Sequence, residues 1–336
     1  MNTFRKEIGS EFWSVPYQEQ DNGFFPEETC WFLSGRSALA GIIAEIQSKR
    51  KVNTVAMPAW CCDSMVKPFV DAGIDVRFYP VYLENGEFKQ ALSQAEGCDV
   101  VFLLDYFGYV KAEDVEIPPA ICIHDLTHSV FSKGKTFGQY AFGSLRKWAG
   151  FLTGGFAFGI KAQNLSVNEA YVRCRDAAMR DKRKYMFGML DSKSYLEVFA
   201  QAEEMLEESL PAKASQQDID AAKHLDVDYI IEQRRSNAQV LLDELADVAI
   251  FKELSQSDCP LFVPIVVPNG KRNDLRNYLI RNDVFCPVHW PITQYQKPDS
   301  KSLFLYENTL SLVCDQRYTQ EDMKRLIQIY NNFWKE

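Results

Sequence analysis

Several features that would settle the class of this chain at once are missing. No apolar run reaches the roughly 20 residues that a membrane-crossing helix needs. The opening stretch MNTFRKEIGSEFW has no apolar core of the signal-peptide kind, so the expectation is a cytoplasmic protein without a membrane role. The nine cysteines are odd in number, scattered and without a CxxC pair. Only Cys61 and Cys62 lie close together, and adjacent cysteines bridge or chelate poorly. Reduced thiols filling the core, and no metal, are therefore expected. Neither a GxGxxG fingerprint nor a P-loop lysine is present, which disfavours a plain nucleotide-binding module. Positive charge is in deficit: 37 Lys and Arg face 46 Asp and Glu, for a net charge of −9, so nucleic acid is not an expected partner. The basic segment RCRDAAMRDKRKYMFG, residues 173–188, is the local exception and reads first as a solvated helix face or loop. Internal repeats and low-complexity tracts are absent.

What is present is ordinary soluble composition, with 46% hydrophobic and 25% charged residues over 336 positions, enough for one large and one small domain. RSALAGIIAEIQSKR places Leu39, Ile42, Ile43 and Ile46 on one helical face. VNTVAMP, DVRFYPV, CDVVFLLDYFG and AICIHDLTH read as strands, and DSMVKPFVDAGI as a short or kinked helix, with Asp63 its N-cap and Pro68 inside it. Val-, Ile- and Leu-rich strands between helices predict an α/β fold whose mostly parallel sheet is covered on both faces. From 190 to 245 the pattern is helical: YLEVFAQAEEMLEESL and DYIIEQRRSNAQVLLDELADV are joined by PAKASQQD, read as a connector. A compact α/β segment follows: strand CPLFVPIVVPNG, helix KRNDLRNYLIRNDVF, strand LSLVCD and a closing helix capped by Thr319. The expected division is 1–220 and 221–336.

Four stretches carry candidate chemistry. FLSGRSALAGII puts Ser34, Gly35, Arg36 and Ser37 at a helix start, where free N–H groups suit a phosphate. MPAWCCDS ends a strand with Trp60, an aromatic able to stack on a ring. ICIHDLTHSV ends a strand with Asp125, where α/β proteins place ligands. His124 should face away from Asp125 because strand neighbours alternate, and His128 is placed to lie over a flat ligand. LLDYFG adds Asp105 and Tyr106 at another strand end. GSLRKWAGFLTGG sets Lys147 between two strand-like runs, in an apolar, glycine-rich setting.

The order of these signals, phosphate-type helix start, aromatic, strand-end Asp, then lysine, resembles pyridoxal phosphate enzymes of the aspartate aminotransferase fold (fold type I). More closely, SGRSAL, MPAWCCDSMVKPFVDAGIDVRFYPV, HDLTHSVFS, FGSLRKWAGFLTGG and EQRRSNAQVLLDEL resemble segments of the DegT/DnrJ/EryC1/StrS aminotransferases, over most of residues 30–245. The resemblance implies a large cofactor-binding domain, a smaller C-terminal α/β domain, and pyridoxal 5′-phosphate as cofactor. It implies Lys147 as the Schiff-base lysine, Asp125 as partner of the pyridine nitrogen, and His128 near the ring. Gly35, Arg36 and Ser37 fall on the phosphate loop, and Ser144 on a phosphate-binding serine. Trp60 or Cys62 falls at the ring-stacking position. The implied reaction moves an amino group from an amino acid, glutamate by resemblance, to a keto-sugar or related carbonyl acceptor. The related sugar dehydratases carry histidine in place of the lysine, so Lys147 argues against that branch. The family's Asn-Tyr-Arg segment, which reaches the partner subunit of a homodimer, has RKYMFGM as its nearest counterpart, and Arg36 replaces a small hydroxyl residue. Other readings are a non-catalytic sensor or scaffold on the same fold, or a different pyridoxal phosphate reaction.

Overall fold

The computed structural model describes residues 7–109, 120–134, 138–161, 163–208 and 211–335. Seven strands build the central sheet: β1 (Cys30–Phe32), β2 (Thr54–Pro58), β3 (Asp75–Tyr79), β4 (Val100–Leu104), β5 (Ile121–Asp125), β6 (Tyr140–Ser144) and β7 (Gly155–Phe158). Their spatial order is β1-β7-β6-β5-β4-β2-β3. β3, β2, β4, β5 and β6 run parallel, whereas β7 opposes both β6 and β1. Every residue of β4 and β6 is buried, as continuous apolar runs between helical layers require. Because β7 reverses direction, β1 points the same way as β6. The carboxyl ends of β1, β2, β5 and β6 thus share one edge of the sheet.

Helix α1 (Gly35–Lys49) leaves β1 at that edge and packs on α2 (Asp63–Asp71) and across β6 and β7. The start of α2 corrects the expected cap: the helix begins at Asp63, extended Cys62 takes the N-cap position, and no side chain caps it. Pro68 does lie inside this helix of nine residues. The pair α3 (Glu169–Met186) and α4 (Tyr195–Glu208) packs together beyond the sheet. The expected connector PAKASQQD is partly helix, since Gln216–Lys223 forms α5, with Ser215 accepting from the Asp218 N–H. The Ser-x-x-Asp cap was the local signal for that helix.

Helix α6 (Val227–Leu245), β8 (Phe262–Val266), α7 (Arg272–Arg281), α8 (Ser300–Asn308), β9 (Thr309–Val313) and α9 (Gln320–Phe333) complete the chain. β8 and β9 pair antiparallel. A second hydrophobic core forms between them and α6, α7 and α9, and Ile8 from the N-terminal arm inserts into it. Thr319 caps α9 in a reciprocal box with Asp322. Helix α8 turns back to the large sheet, where the Tyr306 hydroxyl donates to Ala59 O at 2.8 Å or to Cys61 O at 2.9 Å and accepts from Cys61 N–H at 3.0 Å. This contact fixes the loop that delivers Cys62. No helix among the described residues is long and apolar enough to cross a membrane.

Candidate active site

Three chain segments meet at the shared sheet edge. Ser34 follows β1 and caps α1, its hydroxyl accepting from Ser37 N–H at 3.2 Å. Gly155 pairs with Phe32 and Ser144, and a Cβ placed on it would stand 2.1 Å from Ser34 O. Glycine is needed there for the strand to pass under the helix start. Ser144 ends β6, and a single turn, Leu145–Lys147, swings the lysine toward the edge. A cavity of about 340 Å³ opens here, lined among others by Ser34, Gly35, Arg36, Cys62, Asp125, Ser144 and Lys147.

Asp125 is 1% exposed and accepts from the Thr127 N–H at 2.8 Å. Burial raises its carboxyl above the usual value, partly opposed by the Thr127 hydrogen bonds and the charges of Lys147 and His124. A cationic ring nitrogen in the cavity would give this carboxylate the partner that its burial calls for. His124 faces the other side of the sheet, as strand alternation requires, with Nε2 3.2 Å from Asp105 Oδ2. His124 and His128, four residues apart, therefore diverge.

His128 packs into the core beside the cavity. It is fully buried, stacks on Trp290 with centroids 5.5 Å apart, and does not line the cavity. The reason is the turn after β5, closed by Leu126 N–H to Phe142 O and Ser129 N–H to Leu126 O, which presents Thr127 to the cavity instead. His128 Nδ1 accepts from Phe107 N–H at 3.3 Å, which assigns the ring proton to Nε2. Nε2 stands 3.2 Å from Lys147 Nζ. Burial, with Lys147 and His289 nearby, pushes the His128 pKa well below its usual value and keeps the ring neutral.

Trp60 departs from its assigned place. It is fully buried, stacks on Tyr106 at 5.2 Å and 10°, and donates through Nε1 to His289 O at 3.0 Å. The aromatic cluster of Tyr106, Phe107 and Trp290 draws it into the core, and of the two stacking candidates only Cys62 reaches the cavity.

The cavity holds more positive charge than the sequence reading gave it. Arg36 lines it with Nε unpartnered. Arg146, also unpartnered at Nε, pairs through its other end with Glu203 of α4. Arg175 of the basic segment is 4% exposed, donates to Glu203 at 3.0 Å and stands 3.6 Å from Glu11. Much of that segment is the expected solvated helix face, yet Arg175 reaches the cavity of its own chain. Glu11, Arg175 and Glu203 were not singled out from sequence. Nothing local marks Glu11 or Glu203, because the pattern of each belongs to its own element and the arginine it meets is remote in the chain.

No family model matches the chain, and no curated protein matches it. Solved structures do. A DegT/DnrJ/EryC1/StrS aminotransferase from Brucella abortus superposes with a TM-score of 0.60 at 16% identity, over 91% of this chain and 85% of that one. PseC of Helicobacter pylori, an aminotransferase of pseudoaminic acid biosynthesis, gives 0.63 at 15% identity over 96% and 99%. NtdA of Bacillus subtilis with bound cofactor PMP gives 0.61 at 14% identity over 92% and 73%. The chain thus has the fold type I architecture: a large, mostly parallel sheet flanked by helices, followed by a smaller α/β part.

Proposed function

We propose that this chain is a pyridoxal-phosphate-dependent aminotransferase of the DegT/DnrJ/EryC1/StrS type, moving an amino group from an amino acid such as glutamate to a keto-sugar or related carbonyl acceptor. One observation carries the reading. The nitrogen of Lys147 is held 3.2 Å from His128 Nε2, on the wall of a cavity that also holds Asp125 and the N-terminus of α1. The residues fit the cofactor. The helix start with Ser34, Gly35, Arg36 and Ser37, together with Ser144, suits the phosphate, and the unpartnered Arg36 Nε awaits an anion. Asp125 suits a protonated pyridine nitrogen, and Cys62 reaches the cavity from the opposite loop.

Bound there, pyridoxal phosphate would supply an aldehyde for the lysine and an electron sink for a carbanion. The chain's own part is to position groups and handle protons. Asp125 keeps the nitrogen charged, His128 orients the Lys147 amine, and that amine moves the substrate proton as acid and base. The division into 1–220 and 221–336, a homodimeric assembly and a cytoplasmic setting belong to the same proposal. The second core supports the first of these, exposed Phe187 and Met189 at the end of α3 the second, and nine free thiols the third. The test is an absorbance scan of the protein with pyridoxal phosphate, before and after adding glutamate. A cofactor band that glutamate converts supports aminotransfer. A band indifferent to every amino acid points to the sensor or scaffold instead.

A further inference from the structure

A cavity of about 330 Å³ shares Lys147 and Glu11 with the one already described, has Arg276 and Arg317 in its wall, and belongs to the candidate active site. A separate cavity of about 210 Å³ lies on the side of the sheet that His124 faces. Asp105, which follows β4, lines it together with Ser129 from the turn after β5 and Phe156 and Phe158 of β7. Phe24 and Phe25, ahead of β1, complete the wall. Phe25 packs edge-on against Phe156 with centroids 5.2 Å apart, and Phe156 meets Phe158 at 5.5 Å.

The polar part of this wall offers acceptors. Asp105 is 7% exposed, and both contacts of its carboxylate fall on Oδ2: the Ser129 hydroxyl donates at 2.6 Å, and His124 Nε2 stands 3.2 Å away. Oδ1 has no partner among the described residues. The Ser129 proton is committed to Asp105, and the proton of Ser132, also in the wall, to Gly108 O at 2.7 Å, so neither hydroxyl keeps a proton for a ligand. Asp105 is the one ionisable side chain lining the cavity among the described residues. A histidine offsets a carboxylate only while protonated. A buried carboxylate is otherwise costly unless a cation meets it. Phenylalanine rings suit both an apolar body and a positive charge.

We propose that this cavity binds a small organic cation, a primary ammonium group on an apolar body, with the ammonium on Asp105 and Ser129 and the body among the phenylalanines. The several N–H groups of a primary ammonium match a wall of acceptors. The volume lies below that of drug-sized pockets, which limits the body to one ring or a short chain. An amino acid does not fit the wall, because nothing positive lines it to meet a second carboxylate. The turn that brings Thr127 to the active-site cavity brings Ser129 to this one, so the two sites back onto one another. The proposal does not depend on the aminotransferase reading.

Titration calorimetry near neutral pH tests it on the full chain, without pyridoxal phosphate, so that no aldehyde condenses with the amine. The probes are benzylamine, charged under those conditions, and benzyl alcohol, its uncharged counterpart. Wild type should bind the amine and take the alcohol about tenfold more weakly or less well still, the loss of one charge-assisted contact. Asp105→Asn should weaken the amine by about tenfold or more and leave the alcohol as it was. Phe158→Ala, which keeps Asp105 and its partners, should weaken both probes. Melting curves show whether each variant folds. A wild type that ignores benzylamine overturns the proposal, as does unchanged amine affinity, or an equal loss of both probes, in a folded Asp105→Asn. If Asp105→Asn does not fold, Phe158→Ala decides, and unchanged affinity there overturns the proposal as well.

Discussion

Asp125 is where stability and proposed chemistry pull in opposite directions. Its carboxyl is raised by burial, so between the unfolded value of 3.8 and the higher folded value the folded chain binds more protons than the unfolded one. Stability therefore falls as pH rises through that window, and the full cost is present above it. Asp125→Asn should make the cofactor-free protein more heat-stable at pH 7, with the gain vanishing below pH 3.8. Turnover should fall roughly a hundredfold, about 3 kcal/mol, because an amide cannot hold a ring nitrogen protonated. Unchanged melting together with unchanged turnover would reduce Asp125 to a strand-end acid. The buried His128 and His289 have the opposite sign. Both pKa values lie well below the usual 6.5 because of burial, with Lys147 facing each. The unfolded chain gains protons there as pH falls below 6.5, so stability is lost in that direction. His128→Asn should show a shallower fall in melting temperature between about pH 7 and 5 than wild type, since one of the two histidines no longer contributes. An identical slope would mean that the His128 ring is protonated in the folded state.

Among the elements, β7 and α1 act as one device. Gly155 lets the strand pass beneath Ser34, so the N–H groups at the start of α1 sit beside Ser144 and Lys147. Gly155→Ala would press a methyl group into Ser34 O and must shift the helix start, strain of about 1–3 kcal/mol. A lower melting temperature and weaker cofactor binding are expected together; a protein that melts and binds as before would show that the edge is not held this tightly. These elements were legible because their signals are local. The apolar runs of β4 to β7, the period of α1 and the Thr319 cap all sit within a few residues of what they predict. The placement of His128 and Trp60 was not legible, because what draws them inward, Trp290 and its neighbours, arrives from the other end of the chain. Arg276 escaped for the same reason: its own helix reads as solvated, and the arm residues and Arg317 that share its cavity come from the two ends of the chain.

At the scale of the whole molecule, the N-terminal arm ties the two cores together. Ile8 enters the second core, the Glu7 carboxylate pairs with buried Lys182 of α3, and Arg317 grips the arm backbone while stacking on Phe12, with 3.9 Å from guanidinium to ring centroid. The two cavities lined by Lys147 lie against this arm through Glu11. Apolar side chains left exposed at the end of α3, Phe187 and Met189, mark the face where a second copy is expected. Sedimentation at micromolar concentration should find a dimer, and Met189→Asp should shift it toward monomer with loss of activity. A fully active monomer would contradict the assembly.

The central claim is that Lys147, and not its neighbour Arg146, carries the cofactor. A guanidinium stays protonated and cannot condense with an aldehyde, whereas a lysine oriented by an imidazole can. Borohydride reduction of the protein with pyridoxal phosphate, followed by peptide mass analysis, tests this directly. The account predicts pyridoxyl mass on the peptide containing Lys147, and none after Lys147→Ala, which should still hold the cofactor noncovalently through Ser34 to Ser37 and Asp125. Label on Lys133, on Lys161, or on Lys135, which lies outside the described residues, would contradict it, and with it the placement of Asp125 and Ser144 around the ring.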